Sequence, residues 1–433
     1  MAMSRFSNDP THNLIPGGAH TYSKGDDQFP ANAPRFIERG EGAVVWDRDG
    51  RRFLDWTMGL RTMTLGYGNE TVNQAAIDQI HKGSNFGRPS HVETELAEEL
   101  TEAIPGAEMF KFAKNGSTAT TAAVKLARAH TGRDLVAFCK DHPFFSYDDW
   151  FIGTTECNAG VPKAIAELSL PFHYNDLDSV QAIFDAHPDG IAALIMEAAT
   201  DTEPVPGFLE GVQDLCRRHG TVFIIDEMIT GFRWDVPGAQ SYFGIKPDLS
   251  TFGKGIANGF SLSVLAGRRE IMELGGLNHD KARVFLISTT HGAENHAIAA
   301  ACAAVKFVRE NDVVPHLWRI GQRLIDGLNA AARTAGVSEQ VVASGYACSP
   351  VVSFRNREGE ISLPLRTLFL QEMVKAGVFI NNFTPSFAHT EADVDFTVEA
   401  AEGAFKIYAS ALDGDWESFL EGPAVKPVFR EFN

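Results

Sequence analysis

Apolar residues recur every fourth position at Val92, Leu96, Leu100 and Ile104, the spacing of one helix face, and predict a helix over 92–104. The Ala-rich stretch 117–130 predicts a second helix, with Ser117 and Thr118 as capping candidates. Two segments, 191–196 and 222–225, are apolar without alternation. Both are short and β-branched, and both end at acidic residues. A helix-like stretch, 211–219, lies between them. Short apolar strands alternating with helices predict βαβ units and a parallel sheet buried on both faces.

Toward the carboxyl end the texture changes. A helix over 312–335 is followed by a strand at 351–354, a helix at 365–376, a strand at 378–381 and a helix at 391–412. That pattern predicts a smaller α+β domain. Near the other end, residues 46–55 predict a hairpin turning at Asp49–Gly50.

Composition narrows the function classes. The chain has 433 residues, 44% hydrophobic and 22% charged, which excludes disorder as the main state. Lys plus Arg number 38 against 56 Asp plus Glu, a net charge of −18. So acidic a balance argues against nucleic acid or an anionic membrane as partner. No apolar run reaches the roughly 18 residues of a membrane span, and MAMSRFSNDP has no signal-peptide h-region. The five cysteines form no zinc spacing, and His291 and His296, five apart, do not share a helix face, so no metal site is expected. Reduced cysteines and a cytoplasmic location are the expectation.

Candidate chemistry lies at strand ends, where open α/β sheets bind ligands. Glu197 ends one apolar strand and Asp226 the next. Lys254 follows a third apolar stretch and is flanked by Gly253 and Gly255, which let a bulky group approach the backbone. A buried lysine of lowered pKa forms Schiff bases, and pyridoxal 5'-phosphate (PLP) is the commonest aldehyde held this way. That cofactor needs a carboxylate against its pyridine nitrogen. Its phosphate needs a helix start, which Asn115, Gly116 and Ser117 offer.

The run Asp226–Glu227–Met228–Ile229–Thr230–Gly231–Phe232–Arg233, followed by Pro247–Asp248 and Phe252–Gly253–Lys254–Gly255, resembles the signature of class III (fold-type I) PLP-dependent aminotransferases. The likeness covers nearly the whole chain and is nearest to the glutamate-1-semialdehyde 2,1-aminomutase family. Ile15–Pro16–Gly17–Gly18 and Ala388–His389–Thr390–Glu391 also match that family. The resemblance implies a large domain over 61–315 with a mostly parallel seven-stranded sheet. It implies a small α+β domain over 316–433, built from both chain ends and joined by a segment over 1–60. It implies Lys254 as the Schiff-base and proton-shuttling residue, and Asp226 as the partner of the ring nitrogen. Met228 and Phe144 would pack on the two ring faces, with Glu197 near the cofactor. Asn115, Gly116 and Ser117 would bind the phosphate, joined by Thr289 from the neighbouring subunit of a homodimer with shared sites.

Departures from the family pattern gather on the substrate side. Phe144–Phe145–Ser146 replaces Tyr-His-Gly, Lys24 replaces an arginine, and Gly59–Leu60–Arg61 replaces Ser-Trp-Gly. Lys24 and Arg61 are therefore the candidate substrate contacts. The expected activity is an aminotransferase acting between an amino donor and an aldehyde or keto group of a small polar metabolite, possibly sugar-like. The alternatives are an aminomutase, a PLP-dependent racemase or epimerase, or a non-catalytic cofactor-binding protein.

Overall fold

The computed structural model describes residues 9–412, 414 and 416–432. The N-terminal sequence discussed above falls mostly on residues 1–8, outside the described ones. In chain order the strands are β1 (Ile37–Glu41), β2 (Val44–Asp47), β3 (Arg52–Asp55), β4 (Met109–Ala113), β5 (Leu135–Cys139), β6 (Ser169–Phe172), β7 (Ile191–Met196), β8 (Val222–Asp226), β9 (Leu249–Phe252), β10 (Ser263–Gly267), β11 (Val341–Ser344), β12 (Val351–Phe354) and β13 (Val378–Phe379). The chain divides into two units. One holds residues up to Leu60, Gly66–Gly68 and residues from His316 onward; the other holds Arg61–Leu65 and Asn69–Pro315.

The second unit is built on a seven-stranded sheet of order β4-β10-β9-β8-β7-β5-β6. Only β10 runs against its neighbours β4 and β9; the rest are parallel, as the apolar runs predict. Every residue of β7, β8, β9 and β10 is buried, which is why these strands lack polar alternation. Helices Gly116–Thr131, Leu177–Ala186 and Phe208–His219 connect successive strands. Phe208–His219 begins three residues earlier than the sequence pattern indicates, after Gly207 in a left-handed conformation.

The first unit pairs β1-β2-β3 as an antiparallel meander, with the turn at Asp49–Gly50 as expected, and adds β13 parallel to β3. Strand β13 stops at Phe379, two residues short of the expected end. Trp56, Leu324, Leu368, Phe369, Phe405 and Tyr408 share its core. The Trp56 indole stacks on His389 at 4.0 Å and donates to Thr397 Oγ1 at 2.8 Å. His389 of the Ala388–Glu391 motif thus has a packing role here.

Candidate active site

Strand register brings the acidic ends together. Strands β7 and β8 pair Met196 with Ile225, so the next residues, Glu197 and Asp226, leave the sheet side by side. Strands β8 and β9 pair Asp226 with Thr251, three residues before Lys254. Parallel pairing therefore delivers two carboxylates and one ammonium to a single sheet edge. Lys254 has a φ of 44°, a left-handed conformation that swings the chain sharply off β9.

Asp226 is buried and anchored. Its Oδ1 accepts the Met228 N–H at 2.9 Å and the Thr251 hydroxyl at 3.0 Å. Burial pushes its pKa up to about 6, against those hydrogen bonds and the Lys254 charge. Glu197 is buried too; burial, then the Asp226 charge, push it up to about 8, with Lys254 and Arg61 opposing. Lys254 retains partial solvent contact, yet its dense surroundings desolvate the ammonium. Burial lowers its pKa, Glu197 and Asp226 counter that, and the Arg61 and Arg233 charges reinforce it. The site is thus a low-dielectric cluster in which burial disfavours the lysine ammonium while the two carboxylates favour it.

The helix start stands beside these strand ends. The N-cap of Gly116–Thr131 is Asn115, whose Oδ1 accepts the Thr118 N–H at 2.9 Å; neither capping candidate, Ser117 or Thr118, takes that place. Ser117 lies inside the first turn instead, and its Oγ accepts the Tyr147 N–H at 3.0 Å. Met228 is wedged between two glycines. A Cβ at Gly116 would stand 2.8 Å from its Sδ, and one at Gly253 2.6 Å. Only hydrogen at both positions leaves room for the thioether.

The structure therefore gathers Asn115, Gly116, Ser117, Glu197, Asp226, Met228 and Lys254 around one edge. Arg61 joins them electrostatically. Phe144 and Thr289 lie on exposed loops; Phe144 packs edge-on against Phe151 at 5.8 Å. Lys24 belongs to the first unit, on a short 3-10 turn, and burial lowers its pKa.

Three further residues shape the site. His142 Nδ1 accepts the Glu197 N–H at 3.0 Å, which places the neutral ring's proton on Nε2. Burial lowers the His142 pKa to about 4. Glu227 accepts N–H bonds from Ala239 and Gln240 at 2.9 and 2.8 Å and fixes the loop after β8. Arg233 is buried and donates to Thr64 Oγ1 at 3.3 Å. Glu227 and Arg233 sit within the recognised run but carry no role in the sequence reading. His142 was findable as a histidine three residues past β5, on the same sheet edge.

A mostly parallel sheet with a lysine, two carboxylates and a helix start at one edge is an α/β site suited to a phosphorylated aldehyde. The sequence comparisons narrow that class. Residues 26–411 match the family model for class III aminotransferases. The chain is 32% identical to a glutamate-1-semialdehyde 2,1-aminomutase of Syntrophobacter fumaroxidans, over 90% of this chain and 94% of that protein. It is also 32% identical to a 3-aminobutyryl-CoA aminotransferase of Cloacimonas acidaminovorans, over 92% and 95%. Among solved structures, the FumI protein of Sphingopyxis sp. MTA144, in its PLP internal aldimine form, superposes with a TM-score of 0.84 at 28% identity, covering 95% of this chain and 96% of that one. The chain belongs to the class III aminotransferase family.

Proposed function

We propose that this enzyme is a PLP-dependent aminotransferase that moves an amino group between an amino donor and the aldehyde or keto group of a small polar metabolite. The observation that carries the reading is the half-buried Lys254 at the sheet edge that also carries Asp226 and Glu197, with its ammonium disfavoured by desolvation. The residues fit the cofactor. Glu197 Oε2 is buried without a hydrogen-bond partner, and Gly116 and Gly253 seat the Met228 side chain at the same edge.

When bound, PLP supplies an aldehyde that attaches amines reversibly and a protonated ring that accepts the electron pair released at the substrate carbon. In this reading the chain's own groups divide the work. Lys254 Nζ is the amine that holds the aldehyde between turnovers. Once displaced, it is the base that takes the proton from the substrate carbon and returns it one atom away. Its lowered pKa suits both tasks, because only the neutral amine attacks or abstracts. Asp226, held by Met228 N–H and Thr251, keeps the ring nitrogen protonated through its charge. The N–H groups at Gly116 and Ser117, the Asn115 cap and the helix dipole hold the phosphate. Met228 and Phe144 would cover the two ring faces, and Thr289 would complete the phosphate site across a homodimer in the cytoplasm.

An aminomutase is the second reading, favoured by relatives of that name at 32% identity. It needs no free carbonyl partner, so the two separate by experiment. The purified protein is loaded with PLP and its absorption spectrum taken before and after L-glutamate. A visible band that converts to a near-ultraviolet band supports an aminotransferase half-reaction. A visible band that persists with every amino acid, in a protein that isomerises an amino-aldehyde without a co-substrate, supports the mutase. Absence of any band after loading overturns the cofactor assignment.

A further inference from the structure

The peptide units that follow β7 are held from outside their own strand. His142 Nδ1 accepts the Glu197 N–H at 3.0 Å, and the Tyr174 hydroxyl donates to the Ala198 carbonyl oxygen at 2.7 Å. These side chains come from the loops after β5 and β6, and the two loops are tied to each other. Lys140 N–H bonds the Phe172 carbonyl oxygen at 2.9 Å, and Asp141 Oδ2 accepts the Tyr174 N–H at 2.8 Å. The His142 ring lies against Tyr174 at 5.2 Å and edge-on to Phe145 at 6.0 Å, so packing fixes its plane. Phe145 is pinned in turn, its carbonyl oxygen accepting the Thr120 hydroxyl at 2.8 Å.

A buried histidine is a costly partner for one N–H. His142 is 4% exposed and its Nε2 has no hydrogen-bond partner, so the ring gives up hydration at both nitrogens for a single hydrogen bond. That bond ends on the backbone of Glu197, whose Oε2 is buried without a partner, whereas Asp226 Oδ1 takes two hydrogen bonds. Glu197 continues the register that pairs Met196 with Ile225, so its side chain leaves the sheet on the same face as that of Asp226. Thr251, paired with Asp226 and bonded to its carboxyl, stands three residues before Lys254. The direction of the Glu197 carboxyl at this edge is therefore set by its backbone, and that backbone is held by His142 and Tyr174.

We propose that His142, braced by Tyr174, is a positioning residue that aims the Glu197 carboxyl at the Lys254 nitrogen. This deepens the aminotransferase reading and rests on it. A carboxylate beside that nitrogen favours its protonated form. Of the charged groups acting on Lys254, namely Glu197, Asp226, Arg61 and Arg233, Glu197 has the largest effect. Asp226 is fixed by its own hydrogen bonds to Met228 and Thr251, so His142 reaches the lysine through Glu197. Burial outweighs the nearby Asp141 and Asp201 charges and keeps the His142 ring neutral down to about pH 4, so its own titration stays clear of the lysine's.

The test follows the visible band of the PLP-loaded protein against pH. That band gives way to a near-ultraviolet one as the lysine nitrogen loses its proton, so its midpoint reports the charge placed beside that nitrogen, whether or not any substrate turns over. Glu197→Gln is expected to lower the midpoint by about 1 pH unit, the effect of one nearby charge. His142→Leu, which removes the acceptor, is expected to lower it by at least about half as much. His142→Asn, whose Oδ1 can stand where Nδ1 stands, is expected to stay within about 0.3 pH unit of wild type. In the Glu197→Gln background, His142→Leu is expected to add less than about 0.3 pH unit. An unchanged midpoint in His142→Leu or in Glu197→Gln, an Asn variant no closer to wild type than the Leu variant, or a His142→Leu shift that persists without Glu197, overturns the proposal. A band that holds in every variant to the limit of protein stability counts as unchanged. If His142→Leu does not fold, Tyr174→Phe, which removes one hydroxyl, takes its place in the same cycle. A lowered midpoint that vanishes in the Glu197→Gln background then supports the proposal, and no shift overturns it. If Glu197→Gln takes up no PLP, Glu197→Asp, which draws the carboxyl back by one methylene, replaces it throughout. A wild type that forms no visible band overturns the aminotransferase reading instead, so the two failures are distinct.

Discussion

Replacing Asp226 by Asn separates what the site needs for chemistry from what the fold needs for stability. Asn keeps an oxygen at Oδ1 to accept the Met228 N–H and the Thr251 hydroxyl, so both anchors at 2.9 and 3.0 Å survive. It removes a carboxylate that burial has pushed from 3.8 up to about 6. A carboxyl whose folded pKa lies above its unfolded value destabilises the fold once pH exceeds the folded value, and the penalty fades as pH falls toward the unfolded one. At 1.36 kcal/mol per pH unit, the penalty on the unloaded enzyme is about 3 kcal/mol at pH 8 and roughly half that at pH 5. The unloaded Asp226→Asn protein is therefore expected to unfold at higher urea than wild type at pH 8, with the gap narrowing toward pH 5. Urea titrations of both proteins, stripped of cofactor and followed by tryptophan fluorescence, measure this. If Asp226 keeps the ring nitrogen protonated, as proposed above, the same variant loses at least about 100-fold in half-reaction rate. An unloaded variant no more stable than wild type at pH 8, or a gap independent of pH, would refute the claim that Asp226 is held against its own solvation.

Other perturbations follow the same logic. Lys254→Ala is expected to lose the visible band and at least about 1000-fold in amino transfer while folding normally, checked by spectrum and circular dichroism. Gly116→Ala drives a Cβ to 2.8 Å from the Met228 sulfur, so it should cost about 1–3 kcal/mol and weaken PLP uptake; adding Met228→Ala should restore part of both. His142 has a folded pKa near 4 against 6.5 unfolded, so wild type loses up to about 3 kcal/mol as pH falls from 6.5 to 4. His142→Asn should flatten that slope relative to wild type, whatever it costs at neutral pH, in denaturation series across the window.

Much of the large sheet is legible in the sequence because its strands are buried on both faces. The run Ile191–Met196 is fully buried and carries no polar residue, so its ends can be read directly. Helix ends are less legible. Phe208–His219 starts at a left-handed Gly207, and the sequence pattern around Phe208 does not announce it. Asn115 takes the cap ahead of Ser117 because its side chain reaches the Thr118 N–H, a choice among adjacent small polar residues that composition cannot resolve. Of the site, Asp226, Glu197 and Lys254 stand at strand ends, where period and position both point. The hold of His142 on the Glu197 backbone depends on how the loop after β5 folds back, and no spacing encodes it. The left-handed run over Met58–Arg61 is equally hidden, since only Gly59 hints at positive φ.

These two kinds of placement bear on how such an enzyme changes its substrate. Glu197, Asp226 and Lys254 are fixed by the ladders between β7, β8 and β9, and a shift of any one breaks buried strand pairing. Their geometry is tied to the core, so the chemistry they support resists drift. Arg61 is fixed by a turn outside the sheet, held by Asp55 at its start and by the Leu65–Asn258 bond at its exit. Substitutions over Gly59–Leu60–Arg61 therefore alter the charge at Lys254 without touching a strand. In the proposed reading, substitutions in the turn bear on the substrate and substitutions at the strand ends on the reaction. An exchange of the turn sequence between relatives should move substrate preference while the cofactor's spectrum stays the same.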